Sequence, residues 1–289
     1  MGLRPVGAEP ALDDHCALLP GPSHTVVRVL DAETIALDDG SEVRLIGALA
    51  PRPPRNSPGA SAWPPERLAR EALEGLLLGR TVELKFAGRR TDRYGRALAH
   101  VFVDRAGEKV WVQGHLLSQG LARAYALPGN TACLKDMLAH ERTAREAGLG
   151  LWASAAYAVR EANEVGELLK RRNRFEIVEG DVVDVAEVGG RVYLNFGIDW
   201  RRDFTAAVAE RLVRASSGGV LELKSLIGKR VRVRGWIERR NGPLLDLADL
   251  ALIEVIGNPG PTSPGRSFEP STPQTERGSP AAEPNGARP

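Results

Sequence analysis

The sequence predicts a mainly β chain with interspersed helices, arranged as two successive β-rich units. Three observations lead there. Apolar and polar residues alternate in several stretches closed by glycine-containing turns. Helical spacing of leucine and alanine interrupts them after Pro64 and again after Ala132. A second set of alternating stretches begins after the charged run Lys170–Arg174. A length of 289 residues suits two domains, and 43% hydrophobic residues are enough for real cores.

Taken in order, Val26 to Leu37 reads as one half-buried strand, and Gly40 marks the turn into Glu42–Ile46. Pro51, Pro53, Pro54 and Pro58 forbid a regular element in the loop that follows. Pro64 and Pro65 suit the first turn of a helix, whose apolar face is Leu68, Ala72, Leu73, Leu76 and Leu77 and which Gly79 stops. Thr81–Phe86, Ala97–Val103 and Val110–Val112 read as further strands. A short helix is expected at Gly114–Gln119 and a longer one at Ala132–Ala147, N-capped by Asn130 or Thr131. In the longer helix Leu134, Met137, Leu138, Glu141 and Ala144 share one face, and Trp152 closes the unit.

In the second half, Phe175–Val188 and Arg191–Gly197 read as strands meeting at Gly189–Gly190, a hairpin dipeptide. Asp203–Val208 reads as a third strand, followed by a helical stretch before Gly228. Lys229–Arg239 and Leu244–Ile256 form another hairpin around Asn241–Gly242. Three strands, a helix and two strands is the order of an OB-type barrel. The expected organisation is an N-terminal arm (1–23), a first unit (24–153), a helical and charged linker (154–174), a second OB-like β-barrel (175–256) and a disordered Pro/Gly/Ser-rich tail (257–289).

A net charge of +2 gives no reason by itself to expect a nucleic-acid partner, so that question rests on local clusters. No run of about 18 apolar residues is present to span a membrane. Residues 1–22 lack the apolar core of a secretory signal, so the expectation is a cytoplasmic protein, with export open if the start lies upstream. Cys16 and Cys133 allow a single pairing. Two unpaired thiols are the favoured expectation, and a disulfide is the alternative if the protein is periplasmic. The five histidines are scattered, which gives no zinc pattern.

The segment Arg44–Leu45–Ile46–Gly47–Ala48–Leu49–Ala50–Pro51–Arg52, read with Asp92–Arg93–Tyr94–Gly95–Arg96, resembles the active-site frame of the staphylococcal-nuclease-like (thermonuclease) family. The order of elements over residues 24–153 is also that family's, which implies a five-stranded OB barrel with three helices. The family resemblance further implies one Ca²⁺ on a small carboxylate cluster, a glutamate acting as general base, and two arginines gripping the scissile phosphate.

Matched residue by residue, Arg44 and Arg96 stand at the phosphate-gripping positions. Glu33, in Asp31–Ala32–Glu33–Thr34, stands at the first metal-ligand position, one methylene longer than the family's Asp. Leu49 replaces the second ligand, and Arg52 occupies the place of the catalytic Glu. After Glu42 the next acid is Glu66, beyond the proline-rich loop, and no shift in register supplies a carboxylate. Three acids and two arginines have become one carboxylate and three guanidiniums. Arg55, Arg89, Arg90 and Arg93 lie nearby in sequence; Tyr94 and Tyr125 match positions beside the family's ligand.

The leading expectation is a pseudo-nuclease that has lost phosphodiesterase activity and binds single-stranded DNA, RNA or another polyanion through Arg44, Arg52, Arg93, Tyr94, Arg96 and Tyr125. No cofactor is expected, and Ca²⁺ at Glu33 only if cleavage survives. One alternative is a divergent Ca²⁺-dependent nuclease using Glu33, Arg44 and Arg96; another is a protein-interaction scaffold with an unknown partner. A third reading makes Arg44 and Arg96 structural, paired with Asp31, Glu33 and Asp92. In the second unit Arg230, Arg232 and Arg234 share one strand face, with Tyr193, Phe196, Trp200, Phe204 and Trp236 as aromatic candidates. These describe either a solvated face over a core or an anion-binding surface.

Overall fold

The computed structural model describes residues 16–52 and 63–257. The alternation read as one strand from Val26 folds as two, β1 (Leu19–Asp31) and β2 (Thr34–Leu37), which turn at Ala32–Glu33 and pair antiparallel. They are followed by β3 (Glu42–Leu45), the short β4 (Ala48–Leu49), β5 (Thr81–Phe86), β6 (Ala97–Arg105) and β7 (Glu108–Trp111). The pairing order is β3-β2-β1-β5-β6-β7, and β3 also pairs with β6 in parallel, Arg44 opposite Leu98. That seam closes five strands into the expected barrel.

Three helices pack around it. α1 (Pro64–Leu77) buries Ala69, Leu73, Leu76 and Leu77 and ends before Gly79, while Leu68 lies on the exposed side rather than on the apolar face. α2 (Val112–Ser118) begins two residues earlier than its pattern indicated. Its buried Gln113 accepts from the Val101 N–H at 3.1 Å and donates to the Ala99 carbonyl at 2.9 Å, acting as a strand for that edge of β6. After β8 (Arg123–Ala124) comes α3 (Leu134–Glu146). Its N-cap is Cys133, in a left-handed conformation, and Asn130 serves elsewhere by donating to the carbonyls of Ala87 and Arg89 at 2.7 Å each. Cys133 is bonded to Cys16 in a disulfide, against the favoured expectation of two unpaired thiols. Among the described residues no helix is long and apolar enough to cross a membrane.

The second half contains β9 (Arg160–Glu161), α4 (Val165–Lys170), β10 (Phe175–Asp181), β11 (Asp184–Val188), β12 (Arg191–Asn195) and β13 (Thr205–Ala209). Two short helices, α5 (Glu210–Arg214) and α6 (Gly219–Lys224), precede β14 (Arg230–Arg240), β15 (Gly242–Leu247) and β16 (Glu254–Gly257). Both predicted hairpins form: Gly189 and Gly190 have φ of 58° and 75°, and Asn241 has 66°.

The expected second OB-like barrel does not. The strands run in the open order β11-β12-β13-β15-β14-β10-β9, with β16 added to β14. Val182 and Val183 interrupt the stretch read as one strand, so β11 pairs only with β12. β10 has β14 on one edge and the parallel β9 on the other, which leaves no edge for a closing strand.

The arginine face of β14 is not a solvated stripe. Arg230 pairs with Glu161 at 2.6 Å and Arg232 with Glu179 at 2.6 Å. Arg234 is fully buried and donates to Glu141 of α3 at 2.6 Å and to Glu254 of β16. Glu141 is equally buried, and its carboxylate also accepts from Arg145 at 2.7 Å and from the Ala124 N–H at 2.6 Å. Removing one partner leaves buried charge uncompensated, a loss of about 3–5 kcal/mol. Glu141→Gln is expected to lower unfolding free energy by that order in urea titrations. The paired Glu141→Leu/Arg234→Met variant is expected to recover only part of it, because Arg145 and the buried Ala124 N–H lose their acceptor as well.

His100 of β6 is buried against Trp111, with ring centroids 5.6 Å apart, and neither ring nitrogen has a hydrogen-bond partner among the described residues. Burial pushes its pKa from 6.5 down to about 4. The folded ring stays neutral while the unfolded chain takes up a proton, so stability is full above pH 6.5 and falls as the pH drops towards 4. The expected loss approaches ~3 kcal/mol, and His100→Leu should abolish that part of the pH dependence in urea melts at pH 7 and 4.5.

Candidate phosphate site

The site grows from the turn after β3. Gly47 has a φ of 83°, and a Cβ there would lie 2.2 Å from the Met137 sulfur, so the turn closes onto α3 only with glycine. β4 then pairs with β8, Leu49 opposite Arg123, and carries Ala50 and Arg52 back towards the β1–β2 turn. There Glu33 is 3% exposed. Its Oε1 accepts from the Ala50 N–H at 2.8 Å, while Oε2 faces Arg44 Nη2 at 3.2 Å and Arg52 Nη2 at 3.3 Å. Asp31 accepts from the Glu33 N–H at 2.7 Å and sets the turn.

Across the β3–β6 seam, Arg96 lies just ahead of β6. Its Nε donates to Asp92 Oδ2 at 2.8 Å, and the other Asp92 oxygen accepts from the N–H groups of Tyr94 and Arg96 at 2.8 and 3.0 Å. Burial opposes ionisation of Asp92, but these donors outweigh it and hold its carboxyl below the usual range. Tyr94 is exposed, with the Arg93 and Arg96 guanidiniums 4.7 and 5.3 Å from its ring centroid. The pairs Arg44–Glu33 and Arg96–Asp92 that the structural reading expected are therefore present, although Glu33 is buried rather than at the surface.

Tyr125 is brought to the same place but lies inside. It is buried beside Leu49 and Phe175, and its hydroxyl has no hydrogen-bond partner among the described residues. Burial raises its pKa, and the charge of Arg44 opposes that rise. Burial acts against the charge of Arg44, yet Tyr125 and Glu33 more than offset it and its pKa stands above the usual guanidinium value. Arg55 lies outside the described residues, as does the tail from residue 258.

Two features were not read from the sequence. Glu66, in the first turn of α1, comes within electrostatic reach of the site. Burial raises its pKa, Arg52 opposes this, and Asp31 and Glu33 add to the rise. Pro64 and Pro65 signalled a helix start, but where that start lands depends on the barrel. A clasp also holds Arg52: its carbonyl accepts from the Tyr157 hydroxyl at 3.4 Å, which in turn accepts from Trp63 Nε1 at 3.0 Å.

A hard cation needs several oxygen donors. The donor set at this site does not fit the family's Ca²⁺: Leu49 has no donor, Arg52 is a cation, and both Glu33 oxygens are engaged. A candidate cation-binding group does exist at the opposite end of β2, where His24, Asp38 and Asp39 bring ligand atoms within 4.8 Å of one another. His24 Nδ1 lies 3.2 Å from Asp38 Oδ1 there.

The profile of the family described as staphylococcal nuclease homologue matches residues 42–154. Over 136 residues the chain is 31% identical to Endonuclease YncB of Bacillus subtilis (strain 168), covering 46% of this chain and 63% of that one. It is equally similar to the SPbeta prophage-derived endonuclease YokF of the same organism, of which it spans 45%. It is 31% identical to the thermonuclease of Staphylococcus intermedius over 135 residues, 46% of this chain and 77% of that one. The chain thus spans about two thirds or less of the first two relatives.

Leu49 is 3% exposed and packs on Tyr125 and Phe175, so an ionised carboxylate there is costly. Leu49→Asp is expected to lower stability by at least about 2 kcal/mol, read from urea titration. An unchanged midpoint would show that the position still accommodates a ligand-type side chain.

Proposed function

Because the chain belongs to the staphylococcal nuclease family, we propose that its barrel grips a nucleic-acid backbone through Arg44, Arg52 and Arg96 without a metal ion and without hydrolysing it. The observation that carries this reading is the Arg52 guanidinium, 3.3 Å from Glu33 Oε2, at the position matched to the family's general base. A guanidinium offers five N–H donors and takes no proton from water. One carboxylate oxygen uses few of the donors on Arg44 and Arg52, and the rest can meet phosphate oxygens in the bidentate geometry that favours arginine. Arg52 is well exposed, and the Arg44 and Arg96 side chains are each about one fifth exposed, so all three are open to a ligand.

Retained hydrolysis would need a general base, and besides Asp31 a carboxyl within electrostatic reach of Arg52 and Glu33 is that of Glu66, whose pKa burial raises. Arg52 acts against that rise, so the charge nearest to Glu66 in the site is a guanidinium rather than a metal ion. The Cys16–Cys133 disulfide supports residence in an oxidising compartment, since such bonds rarely persist among cytosolic thiol reductants.

Fluorescence anisotropy with a single-stranded oligonucleotide tests the reading. Binding should survive chelator and weaken with salt at a slope of about −2 in log–log form for three phosphate contacts. Arg96→Ala should reduce that slope by about 0.7. Chelator-sensitive cleavage of the strand, lost in Glu66→Gln or Arg96→Ala, would overturn it.

A further inference from the structure

The phosphate site continues into a cleft of about 260 Å³ where the barrel meets the second sheet. It is lined by Leu49, Ala50 and Arg52 of the barrel unit, by Trp63 and Tyr157, and by Arg174, Phe175 and Trp236. The volume is just below the ~300–1,000 Å³ of ordinary small-molecule pockets, which suits one ring system. Arg123 also lines it and is buried. Its Nη1 donates to the Phe175 carbonyl at 2.6 Å, and its guanidinium is 5.0 Å from the ring centroids of both Tyr157 and Phe175. Its Nε is buried with no partner among the described residues. Trp236 is 47% exposed, although it stands opposite the buried Phe175 in the β10–β14 ladder and packs edge-on against it at 5.8 Å.

A half-exposed indole, the guanidiniums of Arg52, Arg123 and Arg174 beside the carboxylate of Glu176, and an unsatisfied buried donor favour a flat, polar-edged ring over an aliphatic group. Arg52 belongs to both places: it reaches Glu33 in the phosphate site and lines the cleft. A ligand that sets an aromatic ring one arginine away from a phosphate is a nucleotide. We infer that the cleft takes the base of the nucleotide next to the gripped phosphate, stacked on Trp236. The binding site is then composite, made by the family barrel and the second sheet together. This rests on the phosphate-binding reading above.

The test compares a single-stranded oligodeoxynucleotide with an abasic strand carrying the same number of phosphates, by anisotropy on the full chain. Wild type should bind the base-bearing strand about tenfold more tightly, the size expected for one stacked base. Trp236→Ala should bring the two strands together, and Trp236→Phe, which keeps a ring in place, should restore most of the difference. Equal binding of both strands by wild type and by Trp236→Ala overturns the cleft assignment and leaves the phosphate site standing. Binding of neither strand at low salt overturns both.

Discussion

The charge cluster of Glu141, Arg234, Glu254 and Arg145 holds the two halves of this protein in one arrangement. Glu141 comes from α3 of the barrel unit, Arg234 from β14, and both are withdrawn from water. Such a cluster tolerates little displacement, because any gap leaves a desolvated charge without its counterpart. Apolar packing alone would permit small slides between α3 and β14. The charges select one register, and that register also brings β10 against β4 and β8, where Phe175 meets Leu49 and Arg123.

That docking gives Leu49 a physical meaning. In the family's frame this position carries a ligand for the metal; here it is an apolar contact for a strand of the second sheet. A carboxylate in the same place would face the Phe175 and Tyr125 rings. Both departures from the family pattern have a local partner here: Leu49 packs on the neighbouring sheet, and Arg52 sets a second guanidinium beside Glu33 in addition to Arg44. A nucleotide subsite at the junction fits the same rearrangement, since the second sheet covers the flank of the barrel that bears Arg52.

Much of the barrel was legible because its strands are half-buried and therefore alternate, and because Arg44 and Arg96 lie in recognisable strings. The charge cluster was not. Glu141 sits on the apolar face of α3 by helical spacing, and Arg234 continues the every-second-residue pattern of β14; neither pattern says that the two faces meet. Closure of the second sheet was misread for a similar reason. It depends on which strand takes the free edge of β10, and that strand is β9, two residues whose pairing no periodicity announces. Glu66 was discounted from its distance along the chain, whereas the clasp of Arg52, Tyr157 and Trp63 sets α1 beside the site.

The bond between Cys16 and Cys133 makes a covalent ring of everything between them. Arg44, Arg52, Arg96, Tyr125 and the five strands that close the barrel all lie inside that ring. A single backbone cut anywhere along it therefore releases no fragment: the chain opens, yet both sides of the break stay attached to the same molecule. Damage to a loop of the barrel leaves Arg44, Arg52 and Arg96 on one connected polymer for as long as the sulfurs remain joined.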